Sequence, residues 1–183
     1  MNDFAELEEK KKDSKPVFDG VILHVYKDTV ILPNGKEAGR ELIRHVGAVA
    51  VVALTDDGMV FLEHQFRYPL GRVITEIPAG KLDSKSEDRL AAAKREFREE
   101  TGYTADEWIS LGDYAPAAAY SDEVITIYLA RGLHRGKQEL DSDEFLSVFL
   151  QPLENAVSDC IDGTVTDGKT VAGILRAWHY LKG

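Results

Sequence analysis

Three glutamates stand close together in the segment KREFREETGY, residues 94–103. An α-helix turns by about 100° per residue, so Glu96, Glu99 and Glu100 would share an arc of about 100°. Like charges three and four residues apart destabilise a helix by a few tenths of a kcal/mol per pair, and the helix dipole disfavours acids in the last turn. Two hypotheses are open at this point. The acids form a solvated helix surface, or their oxygens bind a hard divalent cation.

A helix is predicted over residues 86–101 as the element that would carry these acids. Ser84 followed by Glu87 has the S-x-x-E form of a capping box, and Ser86 is an alternative start. Gly102 supplies the stop, because glycine readily takes the left-handed conformation that ends many helices. The residues of its apolar stripe, at helical spacing, are Leu90, Ala93, Phe97 and Thr101. The helix therefore has a core face and a separate carboxylate face.

Short β-like segments occupy most of the remaining chain. The turn signal Asp56-Asp57-Gly58 predicts a hairpin between strands 46–54 and 59–66. The other predicted strands are 20–26, 29–33, 37–44, 72–78, 108–114, 123–130 and 144–150. Two further helices are predicted at 153–161 and 168–181. Because strands and helices do not alternate regularly, we expect an α+β fold in which helices cover a mixed sheet.

We predict three segments along the chain. Residues 1–15 are charged and are expected to be flexible, frayed or loosely helical. Residues 16–45 form a small antiparallel β segment whose strands have little apolar mass. This segment needs support from the rest of the fold, from a second subunit, or from both. Residues 46–183 form the main domain, which is long enough to bury a core.

Composition restricts the functional classes. The 183-residue chain is 44% hydrophobic and 30% charged, as in ordinary globular proteins. Its formal net charge of −10 is the opposite of the basic footprint expected of a nucleic-acid-binding domain. The single cysteine, Cys160, precludes an internal disulfide framework and fits a reducing compartment. No apolar run reaches signal-peptide or membrane-span length, so we expect a cytoplasmic protein that binds neither nucleic acid nor membrane.

The surroundings of the three acids favour the metal hypothesis. The stretch GKLDSKSEDRLAAAKREFREETGY, which follows the strand end EIPA, resembles the Nudix box, G-x5-E-x7-R-E-U-x-E-E-x-G-U, where U is apolar. The residues that fit are Glu87, Arg95, Glu96, Phe97, Glu99, Glu100, Gly102 and Tyr103. One spacing differs: six residues separate Gly80 from Glu87 instead of five. The extra residue lies in the loop before the helix and leaves the spacing of the acids unchanged.

Outside the box, the chain resembles the ADP-ribose pyrophosphatase branch of the Nudix family from about Val17 to the C-terminus. The matching stretches are VFDG (17–20), LPNGKEAGRELIRHVGAVAV (32–51), EHQFRYPL (63–70), EIPAGKLD (76–83) and DSDEFLSV (141–148). The resemblance implies an α/β/α sandwich with a mixed sheet and hydrolysis of ADP-ribose, or related ADP-sugars, to AMP and ribose 5-phosphate. It also implies a homodimer in which the N-terminal β segment crosses onto the partner.

The resemblance also implies a metal site and catalytic residues. Glu96, Glu99 and Glu100, with the Ala79 carbonyl, would hold Mg²⁺, with Mn²⁺ as a substitute. Glu144 would act on the attacking water, and its alternative is a place in an acidic surface loop. Catalytic roles are therefore assigned to Glu144, Glu99, Glu100 and Arg95. Arg95 would orient the carboxylates or brace the helix.

Substrate binding is assigned to Arg44, Arg67 and Glu76 by the same resemblance. Arg67 matches an arginine that contacts the diphosphate, and Glu76 would lie towards the base. The alternatives are a surface salt bridge for Arg67 and a polar strand end for Glu76. The chemistry agrees with these residue types, since attack at phosphorus moves charge onto oxygens that arginine and metal ions stabilise.

The segment PAAAYSDE, residues 116–123, differs from this branch. Ala118 and Ala119 stand where proline and glycine are expected, and those residues set specific backbone angles. Two alternatives therefore stay open. One is a Nudix hydrolase of another nucleoside diphosphate, such as a sugar nucleotide, a dinucleotide or a flavin nucleotide. The other is a non-catalytic nucleotide-sensing module.

Overall fold

The computed structural model describes residues 4–140, 142 and 145–183. Within them the chain forms ten strands and three α-helices, with short 3-10 helices at Ala5–Leu7 and Tyr68–Leu70. The strands are β1 (Lys10–Asp19), β2 (His24–Ile31), β3 (Glu37–Arg44), β4 (Ala48–Ala53), β5 (Met59–Arg67), β6 (Arg72–Glu76), β7 (Ala79–Lys81), β8 (Tyr103–Tyr114), β9 (Ile125–Arg135) and β10 (Leu146–Pro152). The helices are α1 (Arg89–Thr101), α2 (Leu153–Asp162) and α3 (Gly168–Lys182). The predicted α+β class is confirmed.

The central sheet is mixed and has the strand order β7-β4-β9-β8. Strands β4 and β9 are parallel, with Ala48 opposite Ile125, while β7 and β8 pair antiparallel to their neighbours. Every residue of β4 is buried. A strand buried on both faces needs helices on both sides, which is why its sequence is continuously apolar.

Two separate cores lie on the two faces of this sheet. One packs α2 and α3 against the sheet, and its members include Ala50, Val52, Ile127, Ile174 and Ala177. The other packs α1 against the opposite face, and its members include Val49, Val51, Ala92, Ala93 and Phe97. Alternate residues of β4 point to opposite faces, so odd and even positions serve different cores. The result is a helix–sheet–helix sandwich.

The predicted hairpin between residues 46–54 and 59–66 is wrong. Strand β5 belongs to a second sheet, of order β10-β5-β6, and pairs with the segment after β4 through an isolated bridge between Leu54 and Val60. The turn predicted at Asp56-Asp57-Gly58 does form, with the Thr55 N–H donating to the Met59 carbonyl. Both edges of β4 are already paired, with β7 and β9, so no edge is left for β5.

The chain divides into two compact units. The larger consists of Val46–Pro116 and Val124–Gly183, and contains the sandwich. The smaller consists of Ala117–Glu123 and the residues up to His45, of which 4–45 are described. Its three-stranded antiparallel sheet has the order β1-β2-β3.

Two predictions for the smaller unit differ from the structure. Residues 1–15 are predicted to be flexible, frayed or loosely helical, but residues 10–15 form the first part of β1. The break predicted at Lys27-Asp28 lies inside a continuous β2. In both cases polar residues are compatible with the strand, because hydrogen bonds between backbone groups of neighbouring strands hold it in the sheet. Lys27, for example, stands opposite Lys15 on one side and Glu41 on the other. The dimerisation role of residues 16–45 stays a prediction.

In the described part of the chain, no helix has both the length and the apolar character needed to cross a membrane.

Candidate active site

Helix α1 carries the three acids, and its ends follow local rules. The structure starts it at Arg89, with the Asp88 carboxylate accepting a hydrogen bond from the Ala91 N–H at 2.8 Å, so the cap is neither Ser84 nor Ser86. It ends at Gly102, whose φ of 76° is left-handed as predicted. Glu87 serves the preceding loop instead and accepts from the Asp83 N–H at 2.6 Å.

Arg95 lies among the carboxylates of α1. Its Nη1 donates to Glu96 Oε1 at 2.7 Å and to Glu99 Oε2 at 3.3 Å, while Nη2 donates to Glu87 Oε1 at 3.3 Å. Burial alone would lower the pKa of Arg95, but the charge of Glu96 and the hydrogen bonds that Arg95 donates to Glu96 and Glu87 raise it above its usual range. Arg95 is thus shared by three carboxylates. Glu99 also accepts from Arg98 Nη2 at 3.3 Å, so three acids face two arginines and negative charge is in excess.

Strand β7 packs edge-on against the acidic face of α1. The Ala79 N–H donates to Glu100 Oε2 at 3.0 Å, and Glu100 is only 2% exposed. A Cβ added at Gly80 would overlap the Glu96 carboxyl group, so any other residue here would displace that carboxyl group. The Nudix-box glycine therefore sits against a box glutamate, and the six-residue spacing to Glu87 is absorbed in the loop.

A cavity of about 310 Å³ opens between β7 and α1. Its lining residues are Ala79, Gly80, Lys81, Asp83, Arg95, Glu96 and Glu99. Glu100 lies beside the cavity, where it accepts from the N–H of the lining residue Ala79. The structure therefore brings Ala79, Glu96 and Glu99 to one cavity, with Glu100 beside it.

The donor types at this cavity fit a hard divalent cation, since carboxylate and carbonyl oxygens are the ligands that Mg²⁺ prefers. Among the described residues, no three acids, histidines or cysteines are already arranged to hold an ion. Arg95 takes up part of the carboxylate charge of Glu96 and Glu99 in this arrangement. A dication would compete with the guanidinium for those oxygens, and the excess of acid favours that exchange.

Arg67, the last residue of β5, and Glu76, the last residue of β6, form a second cluster. Arg67 Nε donates to Glu76 Oε1 at 2.6 Å and Nη2 donates to Glu76 Oε2 at 2.8 Å, a bidentate fork. Lys169, on α3, also donates to Glu76 Oε2. Burial tends to raise the pKa of Glu76, which is 1% exposed, but Arg67 and Lys169 outweigh it and hold the pKa below its usual range.

Arg44 belongs to the smaller unit, where its guanidinium lies 4.9 Å from the ring centroid of Tyr26. Its Nη2 is 3.6 Å from Asp28 Oδ2. The segment Ala117–Glu123 lies in the same unit and is held to β3: the Ile43 N–H donates to the Tyr120 carbonyl at 2.7 Å. No non-glycine residue of the described chain has a positive φ, so Ala118 and Ala119 adopt ordinary backbone angles.

Glu144 lies outside the described residues, and its predicted role stays a prediction. The segment before it is anchored to the end of α1. The Glu139 N–H donates to the Glu99 carbonyl at 2.9 Å, and Gln138 Nε2 donates to the Glu100 carbonyl at 2.5 Å. Arg98 Nη1 also donates to Glu139 at 2.7 Å.

Sequence reasoning missed Gln138, Glu139 and Lys169. No local motif marks the first two. Lys169 stands in the segment TDGKT that begins α3, where the Asp167 carboxylate accepts from the Thr170 N–H at 3.0 Å and supplies a helix-cap signal. That signal predicts the helix start but not the partner of the lysine, which is 93 residues away in sequence.

Known proteins resemble this chain over most of its length. The NUDIX domain family matches residues 44–172. A protein named ADP-ribose pyrophosphatase from Bacillus subtilis (strain 168) is 42% identical, over 92% of this chain and 91% of that protein. Another of that name, from Mycobacterium tuberculosis (strain ATCC 25618 / H37Rv), is 35% identical over 93% of this chain and 84% of that protein. A protein from Bacillus methanolicus named methanol dehydrogenase activator is 38% identical over 91% of each.

A solved structure described as the crystal structure of ADP compounds hydrolase superposes with a TM-score of 0.83. It covers 96% of this chain and 95% of that chain at 21% identity, so the likeness concerns the fold alone. The predicted sandwich fold is therefore confirmed.

Proposed function

Because this chain belongs to the Nudix family and is a pyrophosphohydrolase, we propose that it hydrolyses the diphosphate of ADP-ribose, or of related ADP-sugars, to AMP and ribose 5-phosphate. The observation that carries the proposal is the cavity in which Glu96 and Glu99 face the β7 backbone. Two relatives named ADP-ribose pyrophosphatase support the choice of substrate.

Nudix hydrolases generally need divalent metal ions, and we propose Mg²⁺ here, with Mn²⁺ as a substitute. Glu96, Glu99, Glu100 and the Ala79 carbonyl would hold it. When bound, such an ion neutralises diphosphate charge and lowers the pKa of a coordinated water. Arg95 orients the carboxylates through its bonds to Glu96 and Glu99. Glu144 removes the proton of the attacking water.

Arg67 and Arg44 bind the anionic substrate in this proposal. The Arg67 side chain is 39% exposed although Glu76 holds one edge of its guanidinium, so the other edge can meet a phosphate. Glu76 belongs to the substrate site as the anchor of Arg67. Its burial and its two cationic partners favour this role over direct contact with a base.

We also propose a homodimer with residues 16–45 at the interface. The segment 17–23 exposes a run of apolar side chains: Val17, Phe18, Val21, Ile22 and Leu23. A three-stranded sheet needs an apolar face packed on something to be stable, and a second copy of this chain would cover these residues. Light scattering at micromolar concentration should give twice the mass of the 20.3 kDa chain, and the monomer mass would contradict this proposal.

The deciding experiment is a substrate panel with purified protein. ADP-ribose, other sugar nucleotides, dinucleotides and a flavin nucleotide are each incubated with Mg²⁺, with Mn²⁺ and with EDTA, and the products are identified by chromatography. The expected result is the highest kcat/KM for ADP-ribose, yielding AMP and ribose 5-phosphate only when metal is present. Higher kcat/KM on another diphosphate would reassign the substrate. Tight ADP-ribose binding without turnover would indicate the sensing module.

One relative favours a second candidate function. The Bacillus methanolicus protein named methanol dehydrogenase activator matches nearly the whole chain. If this chain acts on a dehydrogenase in the same way, adding it to a purified NAD-dependent methanol dehydrogenase should raise the rate of NADH formation. The variant Glu99→Gln then tests whether the effect needs the acidic site.

A further inference from the structure

Residues 76–80 connect the two clusters of the site, and two helices hold this segment from opposite ends. At one end, α1 binds it through Glu100, which accepts from the Ala79 N–H, and through the close approach of Glu96 to Gly80. At the other end, Thr170 Oγ1 accepts from the Ile77 N–H at 2.9 Å. The path of the segment therefore depends on the first turn of α3 as well as on the Nudix box.

The first turn of α3 is itself rigidly built. The Asp167 carboxylate accepts from Thr170 Oγ1 at 2.6 Å and from Lys169 Nζ at 3.1 Å, in addition to its capping bond. The Lys169 side chain is only 11% exposed. A lysine so desolvated is held in place by its acceptors, here Asp167 and Glu76.

Glu76 connects the first turn of α3 to Arg67. Its two oxygens together accept three donors, two from the Arg67 fork and one from Lys169. A bidentate fork fixes the plane of the guanidinium, provided that the carboxylate itself cannot rotate. Lys169 supplies that restraint from a different element, because it donates to Oε2 from α3 whereas Arg67 donates from β5.

We infer that Lys169 is a positioning residue for substrate: acting through Glu76, it sets the orientation in which Arg67 meets a diphosphate. This inference rests on the proposed function. Without the lysine, Glu76 keeps one cationic partner and can turn, and the guanidinium turns with it. Misplacing a binding group by about 1 Å can reduce catalytic efficiency by as much as about 100-fold.

The test is a double-mutant cycle on kcat/KM for ADP-ribose with Lys169→Met, Arg67→Met and the double variant. Lys169→Met should lower kcat/KM about tenfold, chiefly through KM, since it displaces rather than removes a binding group. The double variant should be no slower than Arg67→Met alone. Lys182→Met, at the other end of α3, is the matched control and should behave as wild type.

Two further readouts separate positioning from general damage. Calorimetric binding of ADP-ribose in EDTA should weaken in Lys169→Met by the same factor as KM rises, while Mn²⁺ binding without nucleotide should stay at the wild-type affinity. Each of three results would overturn the inference. The first is a kcat/KM of Lys169→Met equal to that of wild type, and the second is a loss in the double variant equal to the product of the two single losses. The third is loss of Mn²⁺ binding in Lys169→Met.

If Lys169→Met does not fold, Lys169→Gln retains a donor and enters the same cycle. If neither wild type nor Lys182→Met hydrolyses ADP-ribose, the proposed substrate fails. The cycle is then measured as calorimetric binding of ADP in EDTA, with the same two criteria for Lys169.

Discussion

Two arginines of the larger unit hold glutamates in contrasting surroundings. Arg95 is shared by Glu96, Glu99 and Glu87, at the edge of a cavity, and even with Arg98 as a second donor to Glu99 the acids outnumber the arginines. In the other cluster, Glu76 is buried and accepts from both Arg67 and Lys169.

The difference between the two clusters shows how a carboxylate that can bind a metal ion is distinguished from one that has a structural role. A carboxylate that shares its cation and borders a cavity can exchange that partner for a metal ion at small cost. A carboxylate saturated by two cations and removed from water is expensive to disturb, because any change leaves a buried charge unpaired. The two clusters should therefore respond to mutation differently: variants of the first should lose turnover with little loss of stability, whereas variants of the second should lose stability as well as substrate binding.

The largest expected effect is on turnover, from Glu99→Gln. The amide keeps the shape of the side chain but cannot supply a negative oxygen, so kcat should fall by about a thousandfold. Stability should change little or rise, since like-charge repulsion within α1 is relieved. Single-turnover kinetics and thermal melts measure both. Glu107→Gln, at an exposed pair with Arg131, is the matched control, and equal kcat in the two variants would contradict the assignment.

A smaller effect on activity is expected from Gly80→Ala. The new methyl group displaces the Glu96 carboxylate, so Mn²⁺ affinity and kcat should each fall by about 10- to 100-fold. Calorimetric titration with Mn²⁺ measures the first quantity. Gly39→Ala is the matched control, because nothing lies within 4 Å of a Cβ added there. Unchanged metal affinity in Gly80→Ala would show that Glu96 is not a ligand.

At the cluster of Glu76, the variant Arg67→Met should lower the stability of the folded protein. The variant leaves the buried Glu76 with Lys169 alone, and the free energy of unfolding should fall by about 2 kcal/mol. This is below the usual cost of breaking a buried pair, because Arg67 is partly exposed. Urea denaturation measures it. Arg131→Met breaks an exposed pair and should cost less than about 0.5 kcal/mol, so similar losses in the two variants would remove the contrast.

The smallest effect is a pH dependence of the Glu76 cluster. The pKa of Glu76 is lowered in the folded state, so its carboxylate contributes stability above its ordinary value of 4.5 and loses that contribution as the pH falls through the folded-state pKa. The unfolding free energies of wild type and Glu76→Gln should therefore differ most near pH 7 and converge in acid. A difference independent of pH would mean that the carboxylate is not ionised in the native state.

Much of the acidic helix could be predicted from the sequence, because its determinants are local. The spacing of Glu96, Glu99 and Glu100, the apolar stripe and the stop at Gly102 all act within one or two turns. The start was misplaced by three residues because several polar residues compete to cap it, and Glu87 is used by Asp83 and Arg95 instead. The role of Glu76 could not be assigned well, since one of its partners comes from a distant helix.

The sequence by itself determined the acidic face of α1 and the burial of strand β4 on both of its faces. Both features follow from the pattern of neighbouring residues along the chain. Only the tertiary structure decided that β5 leaves β4 for another sheet, that Gly80 approaches Glu96, and that Lys169 meets Glu76. These outcomes depend on which edges and side chains remain available after the whole chain has packed. Such competition between distant segments leaves no trace in local spacing.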